Sequence, residues 1–178
     1  RITKENRINN MGDNRASPDF CVIEVSHRCM FNCRMCNYGR SGIDAQEVSI
    51  EELRKFVLSL KDFVRMPFEM NLSGGETLLK KDIFDFVELI AQEGIRFSLV
   101  TNGFLLNESN ARRLADSGLN VLAISLDSVD EKIHDYIRGR QGACQKVMDA
   151  VKYFNRYRGK LQNITIQTVI MQPNLDKL

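Results

Sequence analysis

Three cysteines lie close together near the start of this sequence, at Cys29, Cys33 and Cys36. Thiolates are good ligands for iron and zinc, and the spacing of these three is Cys-x3-Cys-x2-Cys. A 4Fe-4S cluster contains four irons, which are usually held by four thiolates. Three thiolates in one loop would leave one iron open to a ligand from outside the protein. The spacing therefore favours an iron–sulfur site with one open coordination position.

A structural zinc ion is the alternative for the same loop, with His27 as its fourth ligand. The x3–x2 spacing is not that of a usual zinc ribbon, and this difference favours the cluster. Of the remaining cysteines, Cys21 falls inside a predicted strand and Cys144 at the start of a predicted helix. Buried cysteine behaves as a small apolar residue, so we interpret both as structural thiols rather than ligands.

The composition is that of an ordinary globular domain. The 178 residues are 43% hydrophobic and 27% charged, which suffices for a single domain with a sizeable core. The net charge of +2 gives no reason to expect nucleic acid or an acidic membrane surface as a partner. No apolar run has the length of a transmembrane helix, and residues 1–15 lack the apolar segment of a signal peptide. Five cysteines, an odd number, do not suggest a disulfide framework, so we expect a cytoplasmic protein.

Hydrophobic runs predict alternating strands and helices. We predict five strands, at residues 20–25, 68–73, 97–101, 121–125 and 164–170. Helices are predicted at 49–64, 81–92, 107–116, 128–137 and 143–157, with capping boxes that begin at Ser49 and Ser128. This alternation indicates parallel strands joined by right-handed crossovers, in an open doubly wound sheet or in part of a (β/α) barrel. We expect residues 1–18 to be an irregular leader and 19–178 an α/β domain that is incomplete at its C-terminal end.

Short polar and glycine motifs follow the predicted strands, just as the cysteines follow the first. The motifs after the second, third and fourth strands are Gly74-Gly75-Glu76, Thr101-Asn102-Gly103 and Ser125-Leu126-Asp127. The carboxyl ends of parallel strands lie on one face of an α/β domain, and sites form there. We therefore expect these motifs to converge in space although they are far apart in the sequence.

Together the cysteine loop and these motifs resemble the radical S-adenosylmethionine (radical SAM) superfamily over about residues 20–174. The resemblance implies that the three cysteines hold a 4Fe-4S cluster whose open iron is chelated by the amino and carboxylate groups of SAM. The sequence departs from the common pattern at Met35, because the residue before the third cysteine is usually aromatic. Methionine is polarizable and can also cover adenine or a cluster.

The same resemblance assigns roles to other positions. Gly74, Gly75 and Glu76 match the motif that binds the SAM amino group, since glycine admits close approach and a carboxylate accepts from an ammonium. Ser125 and Arg138 match positions that contact the SAM carboxylate, for which the arginine fork is suited, although a surface arginine at a helix end is an equal alternative for Arg138. Further expected site residues are Tyr38 near the adenine, Asn102 and Asp127 lining the pocket, and Gln167 pointing into the barrel.

The fold that the resemblance implies is a partial (β/α)6 TIM-like barrel with about five βα units present. The implied activity is reductive cleavage of SAM to methionine and a 5′-deoxyadenosyl radical that abstracts a substrate hydrogen. The cysteine loop and the segment Tyr-Ile-Arg-Gly most resemble members with a SPASM- or twitch-type C-terminal extension, which act on peptides, proteins or small metabolites. The expected partners are such a substrate and an electron donor such as flavodoxin or ferredoxin. The alternative is a non-catalytic zinc- or iron–sulfur-binding module.

The last predicted strand leads to one more expectation. A barrel that stops at this strand would expose its unpaired backbone groups and apolar side chains at an edge. Water would also reach a radical formed in so open a site. We therefore expect these residues alone to bind a cluster and SAM without productive turnover.

Overall fold

The computed structural model describes residues 18–39, 47–60, 64 and 67–177. Within this part of the chain, five parallel strands form one sheet in the order β1-β2-β3-β4-β5. The strands are β1 (Phe20–Ser26), β2 (Glu69–Gly74), β3 (Arg96–Thr101), β4 (Leu119–Ser125) and β5 (Asn163–Gln167). The predicted parallel sheet is confirmed. The expected leader lies almost wholly outside the described residues.

Helices of the described chain connect successive strands. They are α1 (Ile50–Leu60), α2 (Ile83–Gln92), α3 (Glu108–Asp116), α4 (Glu131–Arg138) and α5 (Ala143–Asn155). Both α4 and α5 lie between β4 and β5, and short 3-10 turns occur at Thr77–Leu79 and Gln172–Asn174. A doubly wound sheet reverses its strand order at a switch point, whereas the spatial order here follows the chain throughout. Of the two predicted architectures, the sheet therefore has the winding of a barrel.

One face of the sheet packs against the helices. Alternate side chains of a strand point to the same face of the sheet. The helices fully bury four such side chains, Met70 and Leu72 of β2 and Phe97 and Leu99 of β3. Their core cluster also contains Phe86, Val87 and Ile90 of α2, Leu114 of α3, and Val147 and Phe154 of α5. Burial of this apolar surface is the main force that stabilises the domain.

The opposite face of the sheet is more polar and more open. Asn71 Nδ2 donates to Ser98 Oγ at 2.8 Å across the neighbouring strands β2 and β3. On β1, Val22 and Glu24 are exposed on this side. The sheet therefore has one face that is covered by helices and one face that is accessible.

The fifth strand is shorter than predicted, ending at Gln167 rather than at residue 170. Thr168 Oγ1 donates to Leu126 O at 2.7 Å, and Val169 N donates to Asp127 Oδ1 at 2.9 Å. These groups bind the segment after β4 instead of extending the sheet. The β5 terminus is thereby tied to the neighbouring strand end.

The capping box predicted at Ser49 is confirmed, because Glu52 N donates to Ser49 Oγ and Ser49 N donates to the Glu52 carboxylate. The one predicted at Ser128 is wrong. Asp130 caps α4 instead, accepting from Lys132 N at 3.0 Å, while Ser128 Oγ accepts from Asp130 N. Helix α4 begins at Glu131, so Asp130 occupies the N-cap position and its carboxylate can reach the free N–H groups of the first turn. Helix α5 also ends earlier than predicted, at Asn155.

Among the described residues, no helix combines the length and apolar character needed to cross a lipid bilayer.

Candidate functional site

The three cysteines lie in the loop that follows β1, above a small apolar cluster. Cys33 is buried, and Cys29 and Cys36 are half-buried. Phe31 N donates to Cys29 Sγ at 3.5 Å, and Cys36 N donates to Cys33 O at 3.3 Å. The Phe31 ring packs edge-on against Phe104, with 5.4 Å between the ring centroids. Hydrogen bonds to sulfur and an apolar surrounding are both features that tune iron–sulfur sites.

The Gly74-Gly75-Glu76 segment holds this loop from one side. Gly75 N donates to Ser26 O, and Glu76 N donates to Arg28 O, each at 2.8 Å. A Cβ atom on Gly75 would lie 2.4 Å from Arg28 O, so the two backbones approach too closely for any side chain. Gly74 has a φ of +129°, which L residues rarely adopt. The glycines are therefore required by the contact between the two strand ends.

The end of α4 holds the loop from the other side. Arg34 N donates to Ile137 O at 2.9 Å, and Arg34 Nε donates to Tyr136 O at 3.2 Å. The Arg34 guanidinium also lies 3.6 Å from the centroid of the Tyr136 ring. Gly139 has a φ of +62°, and a Cβ there would lie 2.3 Å from Asn32 O. Backbone contacts thus fix the cysteine loop on two sides.

The surroundings of the thiols disfavour free thiolates. Burial raises the pKa of Cys29, and the charges of Glu76 and the other two cysteines raise it further. Burial also raises the pKa of Cys33, against which the charge and a hydrogen bond of Arg138 act to lower it. A coordinated metal would oppose this shift, because it deprotonates its thiol ligands outright.

The donor set fits a cluster better than a single metal ion. In the part of the chain that the structure describes, no three Cys, His, Asp or Glu side chains converge as ligands of one ion do. A zinc ion gathers its thiolates at about 2.3 Å from one centre, whereas a cuboidal cluster takes each thiolate on a different iron. His27, the fourth ligand of the zinc alternative, instead places its Nε2 at 3.0 Å from Glu24 Oε2.

Glu76 joins the ends of β2 and β3 through its buried side chain. Its Oε1 accepts from Thr101 Oγ1 at 2.7 Å and from Leu78 N at 3.1 Å, and its Oε2 accepts from Asn102 N at 2.8 Å. Burial raises the pKa of the carboxyl, although these hydrogen bonds favour the carboxylate. The sequence assigned this side chain to the SAM amino group, and the structure also gives it a part in positioning the strand ends.

Asn102 presents a buried amide donor at the end of β3. Its Oδ1 accepts from Phe104 N at 2.9 Å, which orients the side chain. Its Nδ2 is buried and has no hydrogen-bond partner in the described structure. Buried amide groups are nearly always paired, so this donor is available to a ligand or a water molecule.

Arg138 and Asp127 form a buried ion pair behind the cysteine loop. Arg138 Nη2 donates to Asp127 Oδ1 at 3.1 Å, and Arg138 Nε lies 2.6 Å from Oδ2 as an ionic contact. The Asp127 side chain is 0% exposed and also accepts from Val169 N. The sequence predicts that Asp127 lines the pocket, and in the structure its carboxylate is buried and held by Arg138 and Val169.

The remaining predicted residues lie at the open side of the strand ends. Ser125 ends β4, and Gln167 is its register partner on β5. The Tyr38 hydroxyl donates to Glu24 Oε1 at 2.6 Å, and this bond raises the pKa of Tyr38 to about 12. The Tyr38 ring lies 5.7 Å from the His27 ring.

Two buried residues that support the ion pair were missed by the sequence reasoning. His134 Nδ1 accepts from Asp127 N at 3.0 Å. Asn174 Nδ2 donates to Asp127 O at 2.7 Å and to Val169 O at 2.9 Å, which ties the chain after β5 to the site. The four-residue spacing between His134 and Arg138 places both on one face of α4 and is the signal that could have revealed the first.

Comparisons of the sequence with known proteins identify its relatives. The family model described as the Radical SAM superfamily matches residues 23–176. The chain is 27% identical to the AdoMet-dependent heme synthase of Methanosarcina barkeri over 91% of its length, and 28% identical to the PqqA peptide cyclase of Bradyrhizobium diazoefficiens over 88%. It is 36% identical to the GTP 3',8-cyclase of Trichormus variabilis over 78%. The chain spans 45%, 40% and 44% of these three relatives.

Solved structures show the same fold. That of anSMEcpe with bound AdoMet has a TM-score of 0.75 at 24% identity, covering 90% of this chain and 46% of that protein. That of Streptococcus suis SuiB bound to the precursor peptide SuiA also has a TM-score of 0.75, at 20% identity, covering 97% of this chain and 39% of SuiB. The cysteine loop, the converging strand ends and the family match over most of the sequence lead to one conclusion: the chain belongs to the radical SAM superfamily.

Proposed function

We propose that this chain is the catalytic core of a radical SAM enzyme in which Cys29, Cys33 and Cys36 hold a 4Fe-4S cluster. Members of the family bind this cluster and SAM, which together supply a 5′-deoxyadenosyl radical that abstracts a hydrogen from the substrate. The observation that carries the proposal is the cysteine loop, whose three thiols are positioned by backbone contacts from two sides. The chain's own task is to orient the cofactors and exclude water from them.

Arg138 and Ser125 are assigned to the SAM carboxylate. The Arg138 side chain is 11% exposed. The charge and a hydrogen bond of its guanidinium act to lower the pKa of the Cys33 thiol. Asp127 holds the guanidinium by one side, which leaves other N–H donors for an incoming carboxylate. Asp127 is therefore proposed as a positioning residue for Arg138.

The amino group of SAM is assigned to the Gly74–Gly75–Glu76 segment. The glycines let this segment approach the cysteine loop closely, and the carboxylate of Glu76 supplies negative charge close enough to raise the pKa of Cys29. We assign the unpaired Nδ2 donor of Asn102 to a polar atom of the same ligand. Tyr38 is proposed to flank the adenine, with its ring fixed by the hydroxyl bond to Glu24.

The substrate is proposed to be a peptide, a protein or a small metabolite that meets the open side of the strand ends, where Gln167 is exposed. The relatives act, by their names, as a heme synthase, a peptide cyclase and a GTP cyclase. Relatives of similar identity thus differ in substrate, and the chain spans less than half of each. A one-electron donor such as flavodoxin or ferredoxin is the second proposed partner.

Anaerobic reconstitution with iron and sulfide tests the proposal. We expect about four irons per chain, and a chain that cleaves SAM when dithionite is added. Replacing Cys29, Cys33 or Cys36 by Ala should abolish stable iron binding. The control is Cys144→Ala, because Cys144 is buried near Ser128 O at 3.8 Å, away from the loop.

Two results would contradict the assignment. One is a colourless protein that retains a single tightly bound zinc, which would favour the non-catalytic module. The other is an equal loss of iron in the Cys144→Ala control.

A further inference from the structure

A group of exposed cations lies beside the cysteine loop. Arg140 places its guanidinium 4.7 Å from the centroid of the Phe104 ring, and Lys146 Nζ lies 5.9 Å from the same centroid. Arg34 covers the ring of Tyr136, which is 51% exposed. We call the surface formed by Arg34, Phe104, Tyr136, Arg140 and Lys146 the basic face.

The cations of the basic face are not neutralised by neighbouring acids. In the described part of the chain, no ion pair joins Arg34, Arg140 or Lys146 to a carboxylate. The nearest acids in the sequence are engaged elsewhere. Asp135 accepts from the N–H groups of Gly142 and Cys144. The face therefore retains a positive charge that an acidic partner can use.

Asp149 lies on the same helix as Lys146 but does not cancel the positive charge of this lysine. Its Oδ1 accepts from Gln145 at 3.0 Å and from Lys152 at 3.1 Å. The hydrogen bond from Lys152, followed by that from Gln145 and by the charges of Lys152 and Lys146, holds the pKa of the Asp149 carboxyl below its ordinary value. Two lysines and an amide thus share one carboxylate, which leaves the helix surface net positive.

The basic face adjoins the apolar cluster around the thiols through the Phe104 ring. Phe104 packs in the same apolar cluster as Cys33 and Cys36. Arg34 follows Cys33 directly in the chain, and its backbone binds the end of α4. A redox centre that docks on this face would stand close to a cluster held by the loop, and electron transfer depends steeply on that distance.

We propose that the basic face docks an acidic one-electron carrier, which reduces the cluster. The carrier is oxidised by one electron, and the cluster gains that electron, with no other bond made or broken. Complementary charges steer such encounters, and the exposed Tyr136 ring supplies apolar area at the centre of the contact. This inference rests on the proposed function and adds the surface through which the electron enters.

The test compares protein and small-molecule reductants in the full-length reconstituted holoenzyme. The variant Arg140→Gln/Lys146→Gln removes two charges, and Arg156→Gln/Lys160→Gln is the matched control, whose cations pair with Glu108 and Asp116. Binding of an oxidised flavodoxin and of an oxidised ferredoxin is measured at several salt concentrations. SAM cleavage is then measured with each reduced carrier and with dithionite.

We expect the basic-face variant to bind at least one carrier on the order of tenfold more weakly, with a flatter salt dependence. Carrier-driven cleavage should fall by a similar factor, while the dithionite-driven rate stays within about twofold and the control is unaffected. Unchanged binding of both carriers would overturn the proposal, as would an equal loss with dithionite. Salt-dependent carrier binding by a chain that never cleaves SAM would support the docking surface and contradict the proposed function instead.

Discussion

The cysteine-loop end of the sheet and its β5 edge differ in how they are held. At the loop, backbone groups of three separate segments meet within hydrogen-bond distance, and Gly75 and Gly139 leave no room for a side chain. Along β5, four of five residues are exposed, and the segment beyond it leaves Ile170 64% exposed. The first region is positioned by the described chain itself, whereas the second presents an open surface.

This difference corresponds to two tasks that members of the family combine, which are cofactor binding and substrate binding. Cofactors are the same throughout the family, so their site can be built into the backbone. Substrates differ among the relatives, from a peptide to GTP. The open strand ends near Ser125 and Gln167 are where such variation can act without disturbing the cysteine loop. Variants in the two regions should therefore differ sharply in effect.

The largest effect is expected from Asp127→Ala. It leaves the Arg138 guanidinium buried without its partner, which typically costs about 3–5 kcal/mol of unfolding free energy. Chemical denaturation measures this cost. The double variant Asp127→Ala/Arg138→Met should recover much of it, and Ile170→Ser at the open edge should change stability by less than about 0.5 kcal/mol. If Asp127→Ala lowered the unfolding free energy as little as Ile170→Ser, the proposed difference between the cysteine-loop end and the β5 edge would be contradicted.

Gly75→Ala should follow, with a loss of about 3 kcal/mol and poor cluster retention. Its Cβ would meet Arg28 O at 2.4 Å and His27 O at 2.8 Å, and both are backbone atoms that cannot move alone. Gly159→Ala is the matched control, since nothing lies within 4 Å of its added Cβ. Thermal unfolding and iron content are the measurements. Equal thermal stability and equal iron content in the two variants would show that the contact at Gly75 does not fix the loop.

Asn102→Asp should weaken SAM binding on the order of tenfold, because one buried donor is lost, and should lower stability by about 1–3 kcal/mol, because the new carboxyl is buried next to Glu76. The new side chain still accepts from Phe104 N but replaces the unpaired Nδ2 donor by an acceptor. Equilibrium titration of the cluster-loaded protein with SAM is the measurement. The control is Asn155→Asp, on an exposed helix end. If SAM affinity is unchanged, Nδ2 does not face the ligand.

The smallest effect concerns pH. Burial, followed by the charge of Arg138, lowers the pKa of His134 from 6.5. Below pH 6.5 the unfolded chain then binds a proton that the folded chain does not, so stability falls as pH drops toward the lower folded-state pKa, by at most about 1.4 kcal/mol per pH unit. His134→Gln should reduce this slope. Parallel slopes in the parent protein and the variant would exclude His134 as the cause.

Much of this arrangement could be predicted from the sequence, because it follows from local patterns. Apolar periodicity located the strands, and their alternation with helices implied parallel strand ends on one face. The spacing of the cysteines indicated the donor set directly. Gly74 and Gly75 were recognised as a motif, although the sequence did not reveal that their contact is with Ser26 and Arg28.

What could not be predicted depends on distant packing. The buried partners of the Asp127 carboxylate, Val169 and Arg138, have no signal in the sequence. Ser128 looked like the cap of α4, yet Asp130 lies nearer the helix and takes that role. Asn174 reaches Asp127 across 47 residues of chain. No local pattern encodes the contacts of Asp127 with Val169 and Asn174, since they arise only when β5 is placed beside β4.

The central claim is that the cysteine loop holds a 4Fe-4S cluster with one iron left open for SAM. Electron paramagnetic resonance of the reduced, reconstituted protein tests it most directly, recorded before and after SAM is added. We predict a reduced-cluster signal that SAM changes, the same change in Cys144→Ala, and no such signal in Cys33→Ala. A cluster signal that is identical with and without saturating SAM would contradict the claim.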